Sequence, residues 1–183
     1  MRTSRLLVAA STLAVVAIPF TARAQVVTAS GGEVTVASQK TFVDRLIVGD
    51  SIEVAMAQLA IDKSKNPAVK ELAMTLANDH RTRLEALKVL AGKPDVGRAA
   101  LPGDNSAKPD IALLMQLQSL PDSTFDRAFV TAQIARHERS IDALKSGRAA
   151  AKSPDLQKDI DAAIPVAEQH LAKAKAVAAE LKP

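Results

Sequence analysis

Apolar residues recur along most of this chain at alternating intervals of three and four, the period of an α-helix that buries one face. The first two stripes contain Phe42, Leu46, Gly49, Glu53, Met56 and Ala60, and then Val69, Ala73, Leu76, His80, Leu84 and Leu87. The other two contain Val130, Ile134, His137, Ile141 and Leu144, and then Leu156, Ile160, Ala163, Ala167, His170, Ala174, Val177 and Leu181. The pattern predicts an all-α fold in which four long helices form one bundle.

Turn and cap residues set the ends of these helices. The predicted helices run from Ser38–Thr41 to about Lys65, from Pro67 to about Ala91, from Ser123 to Ser146 or a few residues beyond, and from Pro154 to about Leu181. Asn66 and Ser153 each precede a proline, so both are predicted N-terminal helix caps. Gly92 is predicted to end the second helix. Ser123 with Asp126 resembles a capping box. Pro165 lies inside the last helix and predicts a kink.

The segment 92–121 differs in composition from the helices that flank it. Its breakers are Pro94, Gly97, Pro102, Gly103, Asn105 and Pro109, followed by a short amphipathic stretch, Asp110–Leu120. A helix-to-helix connection rarely needs this length. The sequence therefore predicts a long connection with a short extra helix that can cross over along the bundle, in a direction left open.

The N-terminus has the pattern of an export signal. Arg2 and Arg5 precede an apolar run, Leu6–Phe20, and Ala22-Arg23-Ala24 fits a small-x-small cleavage site. We expect cleavage after Ala24 and a periplasmic protein. The predicted division is a signal peptide (1–24), a flexible leader (25–38) and one helical domain (39–183).

Removing the signal changes the charge. The whole sequence has a formal net charge of +4, but residues 1–24 contain three arginines and no acids, so the remainder is close to neutral. With 2% aromatic residues as well, we expect no nucleic-acid partner. The mature chain has no predicted transmembrane segment. The absence of cysteine excludes thiolate metal sites and c-type haem.

Four polar residues interrupt the apolar stripes at matched depths. The chain has three histidines, and all of them lie in this set with one glutamate. Glu53 and His80 are equally distant from the Asn66-Pro67 turn, and His137 and His170 from the Ser153-Pro154 turn. The spacing predicts one interior layer that binds a single Zn, Cu, Fe or Mn ion. The predicted ligands are Glu53, His80, His137 and His170, with Asp79 and Gln133 as residues that orient the rings.

The segments that carry these residues resemble a known family. They read FVDRLIVGDSIEVAMAQLA, VKELAMTLANDH, FDRAFVTAQIARHERSI and IPVAEQHLAKA. The chain is similar to bacterial exported "predicted outer-membrane" proteins built from one ferritin-like domain of unknown function. The resemblance implies a ferritin-like four-helix bundle and association with the outer membrane, but no reaction. Ala77, Ile134 and Ala167 stand where di-iron bundles have the glutamate of Glu-x-x-His, so a mononuclear site is expected.

A second interpretation needs no metal. The same four side chains can form a buried hydrogen-bond network that fixes the helix register, in a non-enzymatic stress or envelope interaction module. The basic residues Arg136, Arg139, Lys145, Lys173 and Lys175 are interpreted as a solvated face. No nucleophile elbow or phosphate-binding loop is present, so no catalytic residue is predicted. Protein partners and oligomeric state stay open.

Overall fold

A computed structural model describes residues 36–96 and 107–181, and its regular structure within these ranges is helical. The helices are α1 (Val36–Lys63), α2 (Pro67–Ala91), α3 (Lys108–Ser119), α4 (Asp122–Ala150) and α5 (Pro154–Glu180). The all-α prediction is confirmed, including the short extra helix. The predicted signal peptide (1–24) and most of the predicted leader lie outside the described residues. Helix α1 begins at Val36, two residues before its predicted start.

Two of the predicted caps are present. The side chain of Asn66 accepts hydrogen bonds from the backbone N–H groups of Ala68 and Val69, at 2.9 and 3.3 Å. Ser153 accepts from the N–H of Leu156 at 3.4 Å. Gly92 follows the last residue of α2, as predicted. Each of these residues satisfies a backbone group that the helix itself leaves unpaired.

The predicted capping box at Ser123 is wrong. Helix α4 begins at Asp122, and the cap residue is Pro121, which makes no side-chain cap hydrogen bond. Pro121 has an extended backbone, and its carbonyl accepts from the N–H groups of Thr124 and Phe125, both at 3.0 Å. The backbone after Pro121 therefore turns directly into the helix, and Ser123 lies inside the first turn.

The bundle consists of two helical hairpins. Helix α1 packs along α2, and α4 packs along α5; the hairpins then meet through α2 with α5 and α1 with α4. One apolar cluster surrounds the α1–α2 turn and includes Leu72, Phe125, Phe129 and Val177. The start of α4 and the end of α5 therefore lie beside that turn.

The second apolar cluster lies at the other end of the bundle. It joins Leu87 and Leu90 near the end of α2 to Leu156 and Ile160 near the start of α5. The two hairpin turns are therefore at opposite ends, and α2 runs parallel to α4. The connection between α2 and α4 consequently crosses the length of the bundle, which settles the direction that the sequence left open.

Between the two clusters lies a layer of buried polar side chains. Its members are Asp50, Glu53, Gln133, Arg136, His137 and His170. A polar group inside a helical bundle is costly unless it has a partner, so this layer is where chemistry is expected. The matched depths of the sequence pattern predicted its position.

Helix α4 continues through Gly147, where the sequence left its end open. A Cβ atom on Gly147 would overlap the ring of Phe42 on α1. The glycine therefore lets α1 approach α4 closely. Helix α5 likewise continues through Pro165, and the predicted kink there stays a prediction. Among the described helices, none is both long enough and apolar enough to cross a membrane.

Candidate metal centre

The three histidines meet in the polar layer, one from each of three helices. His80 comes from α2, His137 from α4 and His170 from α5. The distances between ring centroids are 5.8 Å (His80 to His137), 5.4 Å (His80 to His170) and 5.2 Å (His137 to His170). One nitrogen from each ring lies within 4.8 Å of the other two. The side chain of His80 is 13% exposed, and the other two rings are buried.

The outward nitrogen of each ring is held by an oxygen. His80 Nδ1 lies 2.9 Å from Asp50 Oδ1, and His170 Nε2 lies 2.8 Å from Asp79 Oδ2. His137 Nδ1 lies 2.9 Å from the main-chain oxygen of Gln133. Carboxylate and carbonyl oxygens only accept, so each of these ring nitrogens donates its N–H. The three contacts therefore fix which nitrogen of each ring carries the N–H.

The remaining nitrogens face one another without protons. His80 Nε2 is buried and has no hydrogen-bond partner among the described residues. His137 Nε2 and His170 Nδ1 are 3.3 Å apart. With the tautomers above, two lone pairs point at each other, an arrangement that a cation or an extra proton has to stabilise. Two nitrogens bound tetrahedrally about 2.0–2.1 Å from one Zn²⁺-sized ion would be about 3.3–3.4 Å apart.

Burial keeps His137 and His170 neutral near pH 7. It lowers the pKa of His137 from 6.5 to about 4, although the charge of Glu53 acts in the opposite direction. Burial also lowers the pKa of His170, against its hydrogen bond to Asp79. Neutral imidazole is the form that binds metal ions.

Glu53, the fourth predicted ligand, is held by an arginine. Arg136 Nε donates to Glu53 Oε1 at 2.6 Å, and Arg136 also forms an ion pair with Asp110 of α3. Burial acts to raise the pKa of Glu53, but the charge and the hydrogen bond of Arg136 act against it, and the pKa lies below its usual value. Glu53 is therefore a charged neighbour of the histidines, and the group of converging ligand atoms contains the three histidines without it.

The interpretation of Arg136 as part of a solvated face is wrong. Its side chain is 7% exposed, because Glu53 and Asp110 draw it into the bundle. The sequence signal for the burial of Arg136 was its position directly before His137, since a residue next to the apolar stripe of a helix borders the interface with the other helices. Arg139, by contrast, is 63% exposed, as the sequence interpretation required.

The two predicted orienting residues act in different ways. Asp79 holds His170 with its side chain, whereas Gln133 holds His137 with its main-chain carbonyl. The amide of Gln133 is buried, and neither of its polar atoms has a partner among the described residues. A main-chain acceptor is available at any position, so the identity of Gln133 was not the relevant signal.

Asp50 and Asp110 belong to the site, although the sequence pattern did not indicate them. Asp50 lies three residues before Glu53 on α1, which places both on the same helix face. It holds His80, and its Oδ1 also lies 3.5 Å from Arg83 Nη1. Asp110 lies on α3, whose position against the bundle depends on a crossover that periodicity does not reveal.

Two cavities reach the histidines from different sides. The first, named here the α2/α5 groove, has a volume of about 500 Å³ and touches all three histidines. Most of the rest of its surface comes from α2 and α5 and includes Asp79, Arg83, Ala86, Asp159, Ala162 and Val166. The second, the α1/α4 cavity, has a volume of about 300 Å³ and touches His80 and His137.

Fold and site together define a helical-bundle protein with a buried three-histidine cluster. The chain belongs to the family described as "Domain of unknown function (DUF4142)", whose model matches residues 24–177. No curated protein sequence matches it.

Solved structures share the fold at low sequence identity. The crystal structure of a DUF305 fragment from Deinococcus radiodurans has a TM-score of 0.69 and 15% identity, covering 78% of this chain and 96% of that one. CopM in its Ag-bound form has a TM-score of 0.60 and 19% identity, covering 79% and 98%. CopM in its Cu(I)-bound form has a TM-score of 0.58 and 19% identity, covering 75% and 92%.

Proposed function

We propose that this protein binds one transition-metal ion through His80 Nε2, His137 Nε2 and His170 Nδ1. The observation that carries the proposal is the convergence of three buried ring nitrogens whose opposite nitrogens are each held by an oxygen. An acceptor behind each imidazole is the usual arrangement around histidine-bound metal ions. Bound metal would join the two hairpins, since α2 supplies one ligand and α4 and α5 supply the others.

The arrangement favours a metal site over a purely structural network. In a network, each buried ring nitrogen needs a donor or an acceptor. His80 Nε2 has neither among the described residues, and the contact between His137 and His170 joins two acceptors. A network would require a proton shared between His137 and His170, and burial of both rings opposes that added charge. A metal ion satisfies all three nitrogens at once.

Copper is the metal that we propose. Three imidazoles suit copper, zinc, iron or nickel, and among the divalent ions of the first row Cu²⁺ binds most tightly to a given nitrogen site. CopM, which shares the fold, has structures in Ag-bound, Cu(I)-bound and Cu(II)-bound forms. Charged carboxylates near the cluster, including Glu53, Asp50 and Asp79, provide a negative environment for a cation.

We place this activity in the periplasm, with outer-membrane association as the family resemblance implies. The N-terminal basic, apolar and small-residue pattern supports export, and the family match begins at residue 24, the last residue of the predicted signal peptide. The parallel α2 and α4 and the crossover between them support a ferritin-like topology. The proposed role is binding, storage or transfer of the ion.

The proposal is tested by titrating tag-free, metal-free protein with Cu(II) and Zn(II) against a competing chelator. We expect one site per chain, tighter for copper, and loss of that site in His80→Ala, His137→Ala and His170→Ala. Arg139→Ala, which removes an exposed arginine, is the matched control and should bind as the parent does. Tight binding that survives all three histidine variants would contradict the proposal.

A further inference from the structure

The two cavities that reach the histidines differ in what lines them. The α2/α5 groove ends on all three rings, whereas the α1/α4 cavity reaches only His80 and His137. An ion that exchanges with solvent has to pass through one of these cavities or through a locally opened bundle. The contacts of the described residues distinguish these routes.

The α1/α4 cavity is lined by buried ion pairs and an excess of arginines. Arg136 is buried between Glu53 and Asp110, with its Nε 2.6 Å from Glu53 Oε1. Four arginines line this cavity, and three carboxylates oppose them: Arg45, Arg83, Arg136 and Arg139 against Asp50, Glu53 and Asp110. A buried ion pair is costly to break, and a metal cation passing here would approach a guanidinium held in place.

The α2/α5 groove has a different balance of charges, although Arg83 lines both cavities. Its charged lining consists of Asp79, Asp159 and Arg83; Arg83 pairs with Asp159 at 3.2 Å, so Asp79 is the carboxylate in excess. Asp79, whose side chain is 47% exposed, also holds His170 at 2.8 Å. The groove is larger than the α1/α4 cavity and touches every proposed ligand. Its two carboxylates and one arginine give it a net negative formal charge, which attracts a cation.

We propose that the α2/α5 groove is the route by which the metal ion enters and leaves the three-histidine site. The proposal rests on the proposed metal binding and deepens it, because it assigns Asp79 and the exposed residues of α5 to metal exchange. An ion in the groove meets the Asp79 carboxylate at the solvent side and the imidazoles at the inner end. A chelator or a protein that exchanges metal with this site would approach from the same face.

Exposed residues on the groove wall allow a direct test. Val166 is 39% exposed and Ala162 is exposed, so Val166→Trp and Ala162→Trp add bulk at the groove without filling the core. Gly49 lines the α1/α4 cavity, and a Cβ atom there would meet nothing within 4 Å, so Gly49→Leu is the matched control. The probes are Cu(II) for loading and EDTA for extraction, followed in a stopped-flow instrument.

We expect each groove variant to slow both loading and extraction about tenfold, which corresponds to a small added barrier, with an unchanged dissociation constant. Gly49→Leu should exchange at the parent's rate. Parent-like exchange in both groove variants, or slow exchange in Gly49→Leu alone, would overturn the proposed route while metal binding stands. Failure of the parent to bind copper would instead overturn the proposed function, and the route with it.

Discussion

At the scale of single residues, the orientation and the tautomer of each imidazole are fixed by the oxygen that accepts its N–H. Asp50, the carbonyl of Gln133 and Asp79 each accept an N–H, so the three free nitrogens point into one space. The meeting of the three histidines was predictable from the sequence, because all three lie on stripes that face the core and at matched distances from the helix turns. Asp50 was not predictable in the same way, since its role depends on which neighbour of the stripe faces α2.

Asp50→Asn tests this positioning. The amide can present its NH₂ to His80 and no longer offers a charged acceptor, so the ring loses its fixed tautomer. We expect copper affinity to fall by about 10–100-fold, the usual effect of removing such a partner. Asp161→Asn removes an exposed carboxylate paired with Arg148 and should leave the affinity unchanged. Equal affinities for the two variants would refute the role of Asp50.

Glu53→Gln tests whether Glu53 is a metal ligand or only a charged neighbour of the histidines. The substitution removes one of the two acidic partners of buried Arg136, so we expect the free energy of unfolding to fall by roughly 3 kcal/mol. One copper ion per chain should still bind. Chemical denaturation and metal analysis of the same preparation check both results. A folded variant that has lost its copper would instead support Glu53 as the fourth ligand, as the sequence predicted.

The metal-free protein should lose stability in mild acid. The pKa of His137 is about 4 in the folded state and near 6.5 in the unfolded chain, so between these values only the unfolded chain takes up the proton. The free energy of unfolding should therefore fall as the pH drops from 6.5 to 4, by on the order of 3 kcal/mol from this group. Urea unfolding at several pH values measures the slope. His137→Leu should flatten it, and an unchanged slope in that variant would contradict the assignment.

At the scale of helices, caps and stripes were predictable and close approaches were not. Asn66 and Ser153 act locally, so sequence signals identified them. Ser123 failed as a cap because Pro121 had already started the helix. The reason for Gly147 lies on another helix, in the ring of Phe42, and no local pattern reveals such a contact.

Gly49 in α1 and Gly147 near the end of α4 provide a paired test of this packing. Gly49→Ala adds a methyl group where nothing lies within 4 Å, so helix propensity should stabilise the protein by about 0.5–1 kcal/mol. Gly147→Ala forces the Phe42 ring to move and should destabilise it by about 1–3 kcal/mol. Thermal unfolding of both variants checks the opposite signs. Stabilisation by both would show that Phe42 moves aside freely.

At the scale of the whole molecule, two hairpins enclose one site. The matched distances from the two turns predicted that the polar residues would share a layer, and the three histidines converge between the apolar clusters at either end of the bundle. The crossover fixed by those clusters brings α2 beside α5, and hence His80 beside His170. The ion pair between Arg136 and Asp110 was beyond sequence reasoning, since it required knowing that α3 lies against α1 and α4.

The most direct test of the central claim is X-ray absorption spectroscopy of the copper-loaded, tag-free protein. We predict a spectrum fitted by three imidazole nitrogens per copper ion, and one fewer in His170→Ala if copper is retained there. Copper ligated by fewer than three imidazoles in the parent, or an identical spectrum in the variant, would contradict a site built from His80, His137 and His170.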